Sequence, residues 1–170
     1  MGYVNDTQSA MIIPPCDMMY SGGTWTDSVS SNQWSKNKTA AADTTTVRIP
    51  LLKLFQNAAA LKGSLLKSID LWYTVGTLAM TTVTATLYKL TAPADNTAPG
   101  APSAPAFTYD SGHASNANRV AAQNHKMTLT LTSPLYLDDD DVYFIELALV
   151  AQATSVFSMK EARANFTLRL

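Results

Sequence analysis

The stretch MTLTLT, residues 127–132, decides the fold, because apolar and polar side chains alternate along it without a break. A period of two places one face of a β-strand against a core and the other face toward solvent. The same alternation recurs at residues 69–75 and 82–88. Residues 142–150 are apolar on both faces except at Glu146, which is typical of a central strand in a packed sheet.

Four more extended segments complete the set of strands, at residues 44–49, 107–109, 155–159 and 166–170. Seven or eight strands separated by turn signals are typical of a sandwich or a jelly roll. Strands do not alternate regularly with helices, which disfavours a parallel α/β sheet. We therefore predict an all-β fold, a jelly-roll-like antiparallel β-sandwich over residues 43–170. The ambiguous residues 51–67 are predicted to form one short helix or a helical loop.

The first 42 residues differ from the rest, because they show no sustained period of either kind. Pro14-Pro15 and Gly22-Gly23 break their short apolar clusters. We predict an extended N-terminal arm over residues 1–42, whose large side chains either pack back on the domain or contact a neighbouring subunit. The predicted protein-interaction residues of this arm are Met11, Ile12, Ile13, Met18, Met19, Tyr20, Trp25 and Trp34.

Charge is sparse along the chain, since only 15% of its 170 residues are charged and its formal net charge is −1. The charged share in soluble domains is roughly 25%. The chain thus offers no broad positive field for phosphates, and we expect no nucleic-acid partner. The N-terminus has no basic and apolar signal regions, and no segment reaches the ~20 apolar residues of a membrane span. We expect no membrane partner, and synthesis and first folding in a cytoplasm.

Candidate catalytic residues are few. Cys16 is the only cysteine, which excludes an internal disulfide and a Cys-based zinc site. His113 and His125 are the only histidines, and no Gly-x-Ser-x-Gly elbow supplies a nucleophile for them. Neither a Walker sequence nor a Rossmann fingerprint occurs. We predict no cofactor, no metal, no catalytic residue and no enzyme activity, although paired glycosidase carboxylates depend on spatial separation that sequence does not give.

Two carboxylate features have specific expectations. The four aspartates at residues 138–141 either supply Ca²⁺ ligands or form an exposed acidic turn. Consecutive residues of an extended chain point to opposite sides, which favours the turn. Glu146 is expected either to face an edge or to pair with an arginine such as Arg163 or Arg169, because a lone buried carboxylate needs a partner.

Three tryptophans allow two interpretations. Trp25, Trp34 and Trp72 either stack on sugars, as in a carbohydrate-binding module, or pack within the protein. Trp72 is predicted to lie on the strand face opposite Leu71, where we expect contact with either a second sheet or a partner chain.

Three runs, at residues 65–73, 82–89 and 140–147, resemble the jelly-roll structural proteins of tailed-phage virions. The low charge, the Thr- and Ala-rich strands and the arm are similar too, and the resemblance covers residues 44–170. It implies a non-enzymatic capsid decoration or cement protein, a homotrimer that binds the major capsid protein lattice or another virion protein and stabilises the shell. Its location would be the virion, assembled in the host cytoplasm, and no active-site residues are transferred. Related sandwiches occur in tail fibres, baseplates and sugar-binding modules, so the alternative is a tail-associated or carbohydrate-binding β-sandwich module.

Overall fold

A computed structural model describes residues 6–30, 33–51, 64–91, 100–137 and 141–169. These residues form eleven β-strands, one short α-helix and two single-turn 3-10 helices, Pro15–Asp17 and Ser111–His113. In chain order the strands and the α-helix are β1 (Asp6–Ile13), β2 (Met19–Ser21), β3 (Trp25–Ser30), β4 (Gln33–Lys38), β5 (Thr44–Leu51), β6 (Ser64–Gly76), β7 (Thr82–Thr91), β8 (Phe107–Tyr109), α1 (Asn116–Val120), β9 (Asn124–Tyr136), β10 (Asp141–Val150) and β11 (Val156–Arg169).

The strands form two antiparallel sheets. The larger sheet has the order β3-β4-β11-β6-β9-β8, and β1 also pairs with β11. The smaller sheet has the order β2-β5-β10-β7. Seven strands, β5 to β11, lie within residues 43–170, which confirms the predicted jelly-roll-like β-sandwich.

The core lies between the inner faces of the sheets. In the stretch at residues 127–132, Met127 and Leu129 are fully buried, whereas Thr130 is exposed. Tyr73 of β6 stacks on Phe157 of β11 with ring centroids 5.2 Å apart, and both are buried. Truncating such core side chains to alanine costs about 2 to 5 kcal/mol.

Two predictions on element bounds need comment. The two strands predicted at residues 155–159 and 166–170 are parts of one strand, β11. A register shift between Met159 and Glu161 interrupts the alternation of apolar and polar residues, so the sequence shows two separate segments. A short helix or helical loop is predicted at residues 51–67. In the structure, Leu51 is the last residue of β5 and residues 64–67 are the first residues of β6, so neither part is helical. The remainder of that prediction lies outside the described residues.

The structure differs from the predicted extended arm, because four segments within residues 1–42 are strands of the two sheets. Strand β1 pairs with β11, β2 with β5, and β4 with both β3 and β11. The neighbouring backbone, and not side-chain periodicity, holds these strands, so their pattern is weak in sequence. Gly22 and Gly23 make the turn between β2 and β3 with φ of 72° and 65°, values that favour glycine.

Lys38, the last residue of β4, anchors this region. Its side chain is fully buried, and Nζ lies 2.7 Å from Oδ1 of Asp43. The same ammonium donates to the carbonyl oxygens of Thr39 and Ala41. The ion pair with Asp43 and the two hydrogen bonds to carbonyl oxygens explain why a lysine is tolerated in this interior position.

Candidate functional site

A groove opens on the larger sheet where β11 changes its edge partner. Residues Phe157 to Met159 pair with β4, while the pairing with β1 begins at Ala162, opposite Ile13. Pro14 and Pro15 follow β1 directly, and prolines supply no backbone donor that would continue the ladder. A recess is therefore left beside residues 160–161.

The register shift at this point orients two charged side chains into the recess. Lys160 and Glu161 are consecutive, yet both are half-buried and both line the groove. A β-bulge has this effect, since two residues of one strand oppose one residue of its neighbour. The bulge thus places Lys160 and Glu161 side by side along the groove, and Nζ of Lys160 donates to Oδ1 of Asn124 on β9 at 3.3 Å.

The groove has a volume of about 680 Å³, and aromatic, apolar and polar side chains line it together. Trp34 of β4 is 41% exposed and Ile12 of β1 is 62% exposed. The larger apolar, aromatic, polar and charged side chains that line the groove are Ile12, Gln33, Trp34, Trp72, Lys160 and Glu161. Ligand sites commonly have this volume and this mixture of apolar walls and a few polar groups.

Two cations hold Trp72 at the base of the groove. Nζ of Lys126 lies 5.4 Å from the ring centroid of Trp72, and Cζ of Arg163 lies 5.2 Å from it. Cations at such distances are attracted to the negative face of the indole ring. Trp72 is half-buried, so Trp34 offers the larger free ring surface.

Asp70 fixes Arg163 beside the tryptophan. Its Oδ2 accepts from Nη2 of Arg163 at 2.8 Å and from Nδ2 of Asn165 at 3.1 Å, and its Oδ1 accepts from Oγ1 of Thr128 at 2.7 Å. Burial alone raises the pKa of Asp70, but the hydrogen bonds from Thr128, Arg163 and Asn165 outweigh it, and the net pKa is below its usual value. Asp70 is therefore an ionised structural support of the site.

The two histidines, for which the sequence supplies no nucleophile elbow, form a hydrogen-bonded chain that runs from the half-buried Asp110 and His113 to the buried His125. Nδ1 of His113 lies 2.9 Å from Oδ2 of Asp110, and Nε2 of His113 lies 3.2 Å from Nδ1 of His125. Nε2 of His125 lies 2.8 Å from the carbonyl oxygen of Ala121. Two neutral rings carry two ring protons, so when Asp110 and the carbonyl oxygen of Ala121 each accept one, the contact between the rings has no proton of its own.

This chain has a structural role in the core. His125 is 4% exposed and stacks on Tyr73 with centroids 4.5 Å apart. Burial lowers the pKa of His125, and the charge of His113 lowers it further, against the opposing hydrogen bond to Ala121. Across the described ranges no cluster of three His, Cys, Asp or Glu side chains is arranged to hold a metal ion.

The eight predicted interaction residues of the arm divide into three groups. Ile13 and Met18 are buried in the core, and Met11, Tyr20 and Trp25 are partly buried against it. The exposed ones are Ile12, Met19 and Trp34, and of these Ile12 and Trp34 line the groove. Contacts with a partner chain stay a prediction.

The tryptophans considered for sugar stacking separate as well. Trp25 packs at 4.7 Å from the ring of Tyr20 and 6.4 Å from that of Phe157, and its Nε1 donates to the carbonyl oxygen of Gly22. Trp34 and Trp72 share the groove. Lys160 and Glu161 were missed by sequence reasoning, since the bulge that orients them has no signature in the residue pattern.

The carboxylate expectations have mixed outcomes. Glu146 does pair with an arginine, but the partner is Arg48 of the neighbouring strand β5, with Nε 2.8 Å from Oε2. Asp141 is buried, where Nζ of Lys89 lies 2.7 Å away and Tyr143 and Thr91 donate hydroxyl hydrogen bonds. This corrects the exposed-turn expectation for Asp141, while residues 138–140 lie outside the described residues, so Ca²⁺ binding there stays untested.

No helix in the described part of the chain has the length and apolar character needed to cross a membrane.

No protein-family model and no curated protein matches the chain. Among solved structures, the chain is similar to the family 32 carbohydrate-binding module of Clostridium perfringens NanJ in complex with galactose, at 11% identity and a TM-score of 0.37, covering 92% of this chain and 99% of that one. The family 11 carbohydrate-binding module from Clostridium thermocellum in complex with a β-1,3-1,4-mixed-linked tetrasaccharide gives 9% identity and a TM-score of 0.30, covering 96% and 89%.

The agarase AgWH50C gives 12% identity and a TM-score of 0.35, covering 93% of this chain. The chain spans only 24% of that enzyme's length. All three TM-scores are below 0.5, so nothing about ligands follows from these similarities.

Proposed function

We propose that this β-sandwich is a carbohydrate-binding module whose ligand lies in the groove beside residues 160–161. The carrying observation is that Trp34 and Trp72 share one open recess with the polar side chains of Gln33, Lys160 and Glu161. A sugar ring has an apolar C–H face and a rim of hydroxyl groups. Aromatic surface next to mixed donors and acceptors complements both parts of such a ligand.

The geometry supports separate roles for the lining residues. Trp34, with the larger exposed ring, stacks on the sugar, while Trp72 forms the base and is held by its two cations. Lys160 donates to hydroxyl oxygens and Glu161 accepts from hydroxyl groups. Charged hydrogen-bonding groups are the stronger ones, so this pair would give the site its orientation preference.

Binding is favoured over cleavage by the number of carboxylates in the recess. Among the described residues that line the groove, Glu161 supplies the only carboxylate. Glycoside hydrolysis generally uses a pair of carboxyl groups on either side of the bond that breaks. We therefore propose recognition without chemistry.

The virion role implied by the resemblance stays a prediction, as do the homotrimer, the capsid partner and the virion location. Ile12, Met19 and Val29 are exposed apolar side chains of the first 42 residues that such a partner would cover. Because β1 to β4 are strands of the sheets, deleting residues 1–40 would damage the fold, so Met19→Ser is the sharper test of attachment to a capsid.

The proposal is tested by screening the protein on a glycan array and by titrating the best ligand into wild type and Trp34→Ala. Loss of a central aromatic contact costs about 2 kcal/mol, so we expect affinity to fall on the order of 30-fold. Tyr136→Ala is the matched control, since Tyr136 is 48% exposed and does not line the groove. An array without hits, or equal affinities of wild type and Trp34→Ala, would contradict the proposal.

A further inference from the structure

A second groove lies on the larger sheet, over the same three strands β1, β11 and β6. Its volume is about 410 Å³. Its polar lining consists of Gln8 and Ser9 of β1, Lys67 and Ser68 of β6, and Asn165 and Thr167 of β11. The first groove lies at the Lys160–Glu161 end of β11 and the second toward its other end.

Thr167 leaves an unsatisfied hydroxyl at this second groove. The residue is 3% exposed, and its Oγ1 has no hydrogen-bond partner among the described residues. A buried polar atom without a partner costs about 1 to 3 kcal/mol, and such exceptions in native proteins need an explanation. A hydroxyl group of a bound ligand would satisfy Oγ1 and remove this cost.

The two grooves are joined by a polar floor. Asp70 lies opposite Arg163 on β11 and opposite Thr128 on β9, and Ser68 lies opposite Asn165. Nδ2 of Asn165 donates to both Oγ of Ser68 and Oδ2 of Asp70, each at 3.1 Å. Side chains at every second position of a strand share a face, so hydrogen-bonding groups continue from one groove to the other.

The length and position of this path define the ligand. Six residue steps separate Glu161 from Thr167, which is ~20 Å along a strand. A peptide usually binds a sheet by adding a strand to a free edge. Strand β11 is interior, with β6 on one side and β1 or β4 on the other, so an added strand has no place along it.

We propose that the two grooves are the ends of one extended site that binds a linear oligosaccharide along β11. The inference rests on the proposed function and specifies its ligand class: a chain of several sugar units and not a single terminal sugar. Trp34 stacks on a unit at one end, and Thr167 bonds a hydroxyl group at the other. Arg163, Asp70 and Asn165 form the floor between them.

The test measures affinity by calorimetry for linear gluco-, xylo-, manno- and galacto-oligosaccharides, each from monosaccharide to hexasaccharide. We expect affinity to rise with chain length in one series until both grooves are filled. Thr167→Val removes the hydroxyl at nearly constant shape, and losing one neutral hydrogen bond should weaken binding of the longest chain about 5-fold. Binding of the shortest ligand should be unchanged.

Two comparisons keep the outcomes separate. Thr84→Val, on the exposed outer face of the smaller sheet, is the matched control and should bind every chain as wild type does. Gln8→Ala, an exposed lining residue of the second groove, should weaken only the long chains. Without ligand, Thr167→Val should melt no lower than wild type, because it removes an unsatisfied group.

Equal affinity for short and long chains, with both still dependent on Trp34, would overturn the extended site and leave the proposed function standing. An unchanged affinity of Thr167→Val and Gln8→Ala for the longest chain would overturn it too. Absence of binding to any glycan would instead contradict both proposals.

Discussion

The outer faces of the two sheets follow the same period of two, yet their surfaces differ. On the smaller sheet, β10 pairs with β5 and with β7 without a register shift. On the larger sheet, β11 shifts register between Met159 and Glu161 and exchanges β4 for β1 at its edge. The groove lies at that exchange. The groove forms where the regular pairing of strands is interrupted. Polar residues on the outer face of a regularly paired sheet do not by themselves create such a groove.

Among the described residues, Asp70–Arg163 on the larger sheet and Arg48–Glu146 on the smaller sheet are cross-strand ion pairs, and the two differ in burial. The carboxylate side chain of Asp70 is 6% exposed beside Arg163, whereas the side chains of Arg48 and Glu146 are 51% and 22% exposed. Ion pairs screened by water contribute little, while removing one partner of a buried pair leaves an uncompensated charge. The first pair should therefore matter more to stability than the second.

Asp70→Ala has the largest expected effect on stability. It leaves Arg163 and Asn165 without their shared acceptor, and we expect a loss of about 2 to 3 kcal/mol at pH 7, measured by urea unfolding. Because the folded pKa of Asp70 is lowered, its stabilisation is present above the unfolded pKa of about 3.9 and is lost as pH falls through the folded pKa. The gap between wild type and Asp70→Ala should close below pH ~4, and a gap that persists there would contradict the ionised network.

His125→Gln tests whether the loss of stability in weak acid comes from a core residue, His125, and not from groups on the outer faces of the sheets. The folded pKa of His125 is lowered, so its contribution to stability is present above the unfolded pKa of about 6.5 and is lost as pH falls below it. Wild type should lose up to about 1.4 kcal/mol per pH unit below that value, and His125→Gln should lose less. The facing groups Asp110, His113, Arg119 and Tyr73 are unchanged in this variant. Equal slopes for both proteins would exclude His125 as the titrating group.

Arg48→Ala has the smallest expected effect. The pair with Glu146 is open to solvent on the arginine side, so we expect a change of at most about 1 kcal/mol in the free energy of unfolding. Added salt should reduce the difference between wild type and variant further, as measured by unfolding at two ionic strengths. A loss as large as that of Asp70→Ala would remove the distinction drawn between the two faces.

Sequence carries much of the fold and little of the site. Strands with one buried face, such as residues 127–132, follow from alternation, because burial and period coincide there. The short strands β1 to β4 do not, since backbone pairing with β5 and β11 holds them. Trp34 and Trp72 could be named as sugar-stacking candidates, but their sharing of one groove depends on a bulge and on non-local pairing. The contact between His113 and His125 likewise depends on how a loop folds back, which residue spacing does not encode.

The pairing of β1 with β11 has a kinetic consequence. Thr7 lies opposite Leu168, so two segments from far ends of the chain must meet before this edge exists. Contacts of such long sequence separation form slowly, because the entropy of closing the loop is lost before the contacts compensate for it. The groove needs β1, β4, β6 and β11 together, so we expect it to be absent from the folding transition state. A bound glycan should then slow unfolding and leave the folding rate nearly unchanged.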